Sequence, residues 1–214
     1  MTLAGPRAAT SPDTTAARFL GERVDRRLYA VDAFFTASAR SIAVCASAMA
    51  DRFFCGATLL VLGTGPHATD AQHNSVEYVH PVLPGCRALP ALSLSNDAAT
   101  VTALLEGGAA TEVHARQLGV LGRRGDIVLA FAAVPLPAAV VRGLEVARQL
   151  DMLTVALLTG SAGADAGAGA DHVFLAPGND PLLAQELHLA TYHMLWELVH
   201  IVLNHRGIPA QARP

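Results

Sequence analysis

The chain has 214 residues, 52% of them hydrophobic, and a formal net charge of −3 at pH 7. This length and apolar content predict one folded domain with a sizeable core. The small net charge and the lack of any basic cluster longer than an arginine pair argue against direct nucleic-acid binding. All 15 basic residues are arginine, which excludes Schiff-base chemistry by a lysine and a P-loop lysine.

The sequence predicts no membrane-spanning segment and no secretory signal. The longest uncharged run, residues 127–141, is shorter than the roughly 18 residues of a membrane span and contains two prolines. Residues 1–12 lack the basic region followed by an apolar region that marks a signal peptide. The three cysteines form no Cys-x-x-Cys pair, which argues against a disulfide framework and a cysteine zinc site. We therefore expect a cytoplasmic protein without membrane contact.

The first quarter of the chain is predicted to be a tail followed by helices. Residues 1–13 are rich in Thr, Pro and Ala and show no periodicity, so we expect a disordered tail there, and a second tail at residues 206–214. Apolar residues recur at three- and four-residue intervals over residues 14–55. This pattern predicts two helices, or one long bent helix, that pack in a core or between subunits. The main domain is expected to span residues 56–205.

The next stretch combines a strand, a turn and a polar helix. Residues 58–62 are apolar and β-favouring, a glycine turn follows at residues 63–66, and the helix after it carries Asp70, His73 and Glu77. Four residues separate His73 from Glu77, which stacks both side chains on one helical face. Such a pair can bind one metal ion or move one substrate proton. Because open α/β sheets bind ligands beyond the carboxyl ends of their strands, this stretch is the first candidate site.

Strands and helices are predicted to alternate in the rest of the chain. The predicted strands are residues 88–94, 127–132, 154–158 and 173–175, the predicted helices are residues 99–105, 112–121, 135–150 and 181–203, and residues 160–169 are a predicted surface loop. Short strands that alternate with longer helices imply right-handed crossovers and a parallel sheet. The sequence therefore predicts a doubly wound, flavodoxin-like α/β fold with five parallel strands and helices on both faces.

The last predicted helix carries polar residues on an apolar background, namely Gln185, His188, His193 and His200. Gln185 and His193 share one face because about two helical turns separate them. Buried polar groups need partners, so these side chains are either metal ligands or hydrogen-bonded groups of the core. Spacing alone leaves both interpretations open.

The order of these motifs resembles that of a known family. The chain contains, in order, Gly63-x-Gly65, Asp70-Ala71-x-His73-x-x-x-Glu77, Gly125-Asp126 and Gln185-Glu186-x-His188-x-x-x-x-His193. This arrangement is similar to the phosphoheptose (sedoheptulose 7-phosphate) isomerases of the sugar isomerase (SIS) domain superfamily. The resemblance extends from the N-terminal helices to about residue 204. It implies the SIS fold, aldose–ketose isomerase activity and a homo-oligomer, expected to be a tetramer with sites between subunits.

The resemblance also implies a metal site. In that family, the positions that match His73, Glu77, Gln185 and His193 bind zinc, and those that match Glu77 and His193 serve as acid and base. Aldose–ketose isomerisation needs a group that moves a proton between neighbouring carbons and an electrophile that polarises the carbonyl. Zinc is the expected ion, and this set of nitrogen and oxygen ligands also suits nickel, cobalt or manganese.

The positions expected to bind phosphate differ from those of the family. The family has a serine where this chain has His67, and a Ser/Thr-rich loop where this chain has residues 132–137, which contain no hydroxyl. Four lost contacts at about 1.5 kcal/mol each predict phosphate binding weaker by a factor on the order of ten thousand. The ligand-binding candidates are Gly63, Gly65, His67 and Asp97, of which Asp97 equally suits a helix N-cap.

Two functions of different class follow from these residues. The first is a SIS isomerase that keeps its metal and acid–base site but binds a sugar or sugar-phosphate-like ligand other than sedoheptulose 7-phosphate. The second is a non-catalytic SIS-domain adaptor, assembly or metal-accessory protein that acts through a protein partner. An apolar loop at residues 134–137 that faces outward would favour the adaptor, whereas one that covers a cavity would favour a ligand site.

Overall fold

The computed structural model of the chain describes residues 12–161, 167 and 169–207. Nearly all of the two predicted tails lies outside these ranges, as does most of the predicted loop at residues 160–169. Within the described ranges, helices and strands follow one another in the predicted order.

Twelve regular elements can be traced in the described residues. The strands are β1 (Leu59–Gly63), β2 (Ala91–Ser93), β3 (Ile127–Ala133), β4 (Leu153–Gly160) and β5 (His172–Pro177). The helices are α1 (Pro12–Phe54), α2 (His67–Val79), α3 (Ala98–Glu106), α4 (Val113–Leu121), α5 (Ala138–Gln149) and α6 (Pro181–His205), and a short 3₁₀ helix, Ala110–Glu112, precedes α4. Helix α5 begins later than predicted because Pro137 closes the preceding loop and a residue before a proline avoids helical geometry.

The strands form one parallel sheet in the order β2-β1-β3-β4-β5. Every residue of β1 is buried, and because successive strand residues point to opposite faces, both faces of the sheet are covered there. The predicted doubly wound, flavodoxin-like fold is therefore confirmed. In this fold ligands bind where the strand order reverses, which here is beyond the carboxyl ends of β1 and β3.

Helix α1 is one continuous helix rather than two. The chain divides into two compact units between Ala37 and Ser38, and this division falls inside the helix. Within the second unit, α1 contributes buried core residues at three- and four-residue intervals, among them Ile42, Cys45, Met49 and Phe53. The predicted boundary at residue 55 stays a prediction.

By length and composition alone, α1 could also cross a membrane over Thr14–Phe54. The sequence pattern did not predict this possible membrane span because charged residues interrupt the apolar run. The core helices of soluble proteins meet the same criterion, and the C-terminal turns of α1 bury apolar side chains inside the second unit. Length and composition are thus weak grounds for a membrane span.

The turn between β1 and α2 depends on two glycines. A Cβ at Gly63 would collide with the backbone carbonyl of His67, and Gly65 has a φ of +57°. Backbone atoms cannot move aside as a flexible side chain can, so the first turn of α2 lies against the end of β1 only because residue 63 is glycine. Both glycines thus have a conformational role, and ligand binding by them stays a prediction.

His114 is a buried histidine in α4 with an exposure of 2%. Neither ring nitrogen has a hydrogen-bond partner among the described residues. Burial lowers the pKa of His114 to about 4 because the surrounding core disfavours the imidazolium. The ring is therefore held neutral, and the unfolded chain takes up this proton at a higher pH than the folded chain.

We expect the His114→Leu variant to lose part of the acid sensitivity of folding. The folded pKa lies below the unfolded value of about 6.5. Above that pH the ring is neutral in both states and costs no stability, and the free energy of unfolding falls as the pH drops towards 4. Between pH 7 and pH 5 this residue alone should remove about 2 kcal/mol from the free energy of unfolding. Urea denaturation at both pH values, with the exposed His80→Leu as control, measures the difference. An equal pH dependence in His114→Leu and wild type would contradict this assignment.

Candidate metal and acid–base site

Helix α2 buries a largely polar face. It starts just beyond the carboxyl end of β1, and its buried residues are Asp70, Ala71, Asn74, Ser75, Glu77 and Tyr78. Burying two carboxylates is costly unless they are paired. Their partners come from α6, which lies more than a hundred residues further along the chain.

Glu77, His73 and His193 form the first group of possible metal ligands, which we call the Glu77 cluster. Oε1 of Glu77 lies 2.8 Å from Nε2 of His193 and 3.2 Å from Nε2 of His73. The Glu77 side chain is 7% exposed, while His73 and His193 are 51% and 39% exposed. A buried carboxylate thus faces solvent through two accessible imidazoles. Three electron-rich atoms stay this close only when protons or a cation lie between them.

Two aromatic residues of α6 hold the Glu77 cluster in place. The hydroxyl of Tyr192 lies 2.8 Å from Nδ1 of His73, and the indole N–H of Trp196 donates to the backbone carbonyl of Glu77 at 3.1 Å. Burial, with the negative charges of Glu77 and Asp70, raises the pKa of Tyr192, so its phenol stays protonated. A partner at Nδ1 fixes the orientation of the His73 ring and leaves Nε2 directed at Glu77.

Gln185, the fourth predicted ligand, lies in the same cleft but makes a different contact. Its amide donates to Oδ1 of Asp70 at 3.2 Å. Gln185 and His73 line one cleft of about 480 Å³, together with Asp70 and Tyr192. The structure therefore brings three of the four predicted ligands together and places the fourth in the adjoining cleft.

Asp97 is placed elsewhere. It is the N-cap of α3, where it accepts hydrogen bonds from the backbone N–H groups of Ala99 and Thr100 and from the Thr100 hydroxyl. These hydrogen bonds, the Thr100 hydroxyl first, lower the pKa of Asp97. Asp97 lines a separate cavity of about 590 Å³, whose lining residues include none of the Glu77 cluster. The N-cap alternative is thus present in the structure, and a sugar contact by Asp97 stays a prediction.

A second group of possible metal ligands comprises His67, Asp70 and His188. The sequence pattern did not predict that these three residues lie together. We call this group the His67 cluster. Nδ1 of His67 lies 3.4 Å from Oδ2 of Asp70, and Nε2 of His188 lies 3.4 Å from the Thr159 hydroxyl. The three-residue spacing of His67 and Asp70 on α2 was a usable signal, but nothing local connects them to His188.

His188 is the most buried member of the His67 cluster, with an exposure of 1%. Burial is the main cause that lowers its pKa, and His67 acts in the same direction. The Leu158 backbone and the Asp70 carboxylate act in the opposite direction, although Nδ1 makes no hydrogen bond of good geometry within the described residues. Burial thus disfavours the imidazolium form of His188, and its ring nitrogens make no short hydrogen bond among the described residues.

Of the loop at residues 134–137, Val134 lines a cavity. Ala133 and Val134 line a space of about 310 Å³ together with His67, Asp70 and Thr159. Val134 and Leu136 are partly buried against the hydrophobic core. The loop therefore packs inward at these two positions, and the one hydroxyl that lines this cavity comes from Thr159 of β4.

The Glu77 cluster suits a zinc ion chemically. Its ligand atoms all lie within 4.8 Å of one another, and they comprise two imidazole nitrogens and one carboxylate oxygen. Zinc with bonds of about 2.0–2.1 Å and tetrahedral geometry separates its ligand atoms by about 3.3 Å. The distance of 3.2 Å between His73 and Glu77 fits that value, whereas the distance of 2.8 Å between His193 and Glu77 is that of a hydrogen bond. Three protein ligands also leave a position for a substrate oxygen or for Gln185.

Comparison with known proteins gives consistent results, although no protein-family model matches the chain. The chain is 30% identical over 196 residues to a phosphoheptose isomerase of Roseiflexus sp. (strain RS-1). This match covers 90% of this chain and 98% of the relative. The chain is 33% identical over 174 residues to a phosphoheptose isomerase of Bradyrhizobium sp. (strain ORS 278), covering 81% of this chain and 86% of the relative.

Two solved structures share the fold. A phosphoheptose isomerase from Francisella tularensis superimposes with a TM-score of 0.74 and 27% identity over 89% of this chain and 98% of the other. The enzyme from Neisseria gonorrhoeae gives a TM-score of 0.73 at 23% identity over the same shares, which supports the fold. With the motifs, the sheet order and near-full-length relatives in agreement, this chain belongs to the phosphoheptose isomerase family of SIS-domain proteins.

Proposed function

We propose that this chain is a SIS sugar isomerase that interconverts an aldose and a ketose at the Glu77 cluster and binds a ligand other than sedoheptulose 7-phosphate. One observation carries the proposal: at the contact between α2 and α6, a buried carboxylate lies 2.8 Å and 3.2 Å from two solvent-accessible imidazoles. A carboxylate and an imidazole in contact are the residue types that proton transfer between neighbouring carbons requires.

In the proposed reaction, Glu77 and His193 move the protons. The Glu77 carboxylate removes the proton from C2 of the aldose, and the His193 imidazolium protonates the carbonyl oxygen on C1, which gives an enediol. His193 then takes the proton of the C2 hydroxyl, while Glu77 returns its proton to C1, and the ketose results. Both residues end in their starting protonation states, so no other reactant is consumed.

A metal ion at this site would be held by His73, Glu77 and His193, with Gln185 as the fourth ligand after its amide turns from Asp70. Zinc is the proposed ion, and nickel, cobalt or manganese would suit the same ligands. Such an ion would take the place of the proton on His193, and it would polarise the sugar carbonyl and stabilise negative charge on its oxygen, which the imidazolium does without metal. Tyr192 orients His73 for this role through the contact at Nδ1.

The 310 Å³ cavity that His67 and Asp70 line supports an altered ligand. Its described lining includes one hydroxyl, from Thr159, and no arginine. A phosphate dianion is bound by several hydroxyl, backbone N–H or guanidinium donors. The apolar Ala133 and Val134 instead favour a ligand that carries little or no charge at this end.

The proposed protein is a cytoplasmic homo-oligomer, expected to be a tetramer. Apolar side chains are exposed along the N-terminal part of α1, among them Phe19, Leu20, Leu28 and Tyr29. An exposed apolar stripe of this kind is typical of a helix that packs against another subunit. The same stripe favours the second candidate function, a non-catalytic adaptor, assembly or metal-accessory protein that binds a protein partner.

We expect Glu77→Gln to abolish isomerisation while the fold persists. The amide keeps the size of the side chain but cannot take a carbon-bound proton, and general-base catalysis contributes about 10²–10⁴-fold in rate. Wild type and variant are incubated in D₂O with five- to seven-carbon sugars, phosphorylated and not, and deuterium on C1 and C2 is measured by NMR. Glu197→Gln, an exposed change on α6, is the control. Unchanged exchange in Glu77→Gln would refute its role, and no exchange with any sugar in wild type would favour the adaptor.

We expect His193→Ala to bind one metal ion fewer per chain than wild type. It removes a direct ligand, whereas Tyr192→Phe removes only the partner of His73 and should weaken zinc binding about 10- to 100-fold. Elemental analysis of untagged protein gives the metal content, and a zinc titration against a competing chelator gives the affinity. Equal metal content in wild type and His193→Ala would remove the Glu77 cluster as a metal site.

We expect the phosphate of a substrate to contribute little to binding. For a sugar and its phosphate ester, kcat/KM should differ by less than about 10-fold, because a single hydroxyl contact is worth only about 1.5 kcal/mol. Steady-state kinetics with sedoheptulose and sedoheptulose 7-phosphate make the comparison. A preference for the ester of a thousandfold or more would show that His67 and residues 132–137 still form a phosphate site.

A further inference from the structure

We propose that the His67 cluster is a second divalent-cation site, separate from the Glu77 cluster. Its three side chains offer two imidazole nitrogens and one carboxylate oxygen, all within 4.8 Å of one another. The cluster lies at the wall of the 310 Å³ cavity that Ala133 and Val134 also line. The proposal concerns different residues from those of the proposed isomerase site and stands or falls independently of it.

The Asp70 carboxylate is buried at this site with few hydrogen bonds. Asp70 is 6% exposed, and its hydrogen-bond partners are a neutral amide at 3.2 Å and the ring of His67 at 3.4 Å. Among the described residues that line the cavity there is no arginine, and the sequence has no lysine. A buried carboxylate is stable only with a positive partner and several hydrogen bonds. A divalent cation meets both needs at once.

The distances suit coordination better than they suit hydrogen bonds. A contact of 3.4 Å between His67 and Asp70 is long for a charge-assisted hydrogen bond, which is about 2.7–2.9 Å. It matches the separation of about 3.3 Å between two ligands of one tetrahedral zinc ion. His188 also lacks a short hydrogen bond, since Nε2 lies 3.4 Å from the Thr159 hydroxyl. The three side chains therefore keep donor atoms free for an ion.

One further oxygen lies at the same point. The Thr159 hydroxyl already contacts His188. Nitrogen and oxygen ligands of this kind suit zinc, cobalt or nickel. The cavity next to them leaves room for water or for a ligand oxygen on the ion.

One ion cannot serve both clusters. His67 and His73 are separated by six residues on α2, and His188 and His193 by five on α6. At 1.5 Å per residue these spacings correspond to about 9 Å and about 8 Å along the two helices. Zinc–nitrogen bonds are about 2.0–2.1 Å long, so two separate ions are required.

Cobalt(II) titration of the metal-free full-length chain tests the proposal. The number of cobalt ions bound per chain and the visible absorption of the bound ion are measured, so no activity is needed. We expect two ions in wild type, one in His67→Ala, one in His193→Ala and none when both changes are combined. The matched control is His80→Ala, an exposed change at the end of α2, which should still bind two.

Several outcomes would overturn the second site. A wild type that binds no ion, or a His67→Ala variant that binds as many ions as wild type, rules it out. Loss of one ion in His193→Ala without any loss in His67→Ala would leave the Glu77 cluster as a metal site and refute the His67 cluster. If His67→Ala does not fold, as judged by circular dichroism, Asp70→Asn decides the question: it must also lose one ion, and retention of both refutes the site.

Discussion

The contact between α2 and α6 is made through buried polar groups, and the candidate site depends on it. Three side-chain pairs join the two helices, Asp70 with Gln185, His73 with Tyr192 and Glu77 with His193. On α2 these residues recur at three- and four-residue intervals, so they lie on one face. Hydrogen bonds need defined distances and angles, and this contact therefore sets the relative position of the two helices more strictly than apolar packing would.

That contact also holds two carboxylates away from solvent. Asp70 and Glu77 are nearly buried, and the side-chain partners that the structure gives them are imidazoles and one amide. The desolvation of each carboxylate costs several kcal/mol unless opposite charge compensates it. Any cation that binds the folded chain and not the unfolded chain would add to its stability. Ligand binding and folding are therefore expected to be coupled at this helix pair.

The polar helix pair adjoins a cavity with an apolar wall. Parallel sheets of this order leave a crevice where the strand order reverses, and here the end of β3 and the loop after it line part of that crevice with Ala133 and Val134. Gly63 allows α2 to start against the end of β1, which brings His67 and Asp70 to the same cavity. The fold thus supplies a charged side and an apolar side to one space, which suits a ligand with a polar reacting end.

Sequence patterns alone predict the order of the elements, the parallel sheet and the family resemblance. Periodicity separates strands from helices, and the spacing of His73 and Glu77 on one helix places that pair together without any tertiary information. The folded structure was needed to show that Tyr192 supports His73, that His188 joins His67 and Asp70, and that Asp97 lines a different cavity. It was also needed to show that His114 is buried with no hydrogen-bond partner among the described residues. Spacing along a chain fixes distances within one helix, whereas distances between helices depend on how all their side chains pack, and no local pattern encodes that packing.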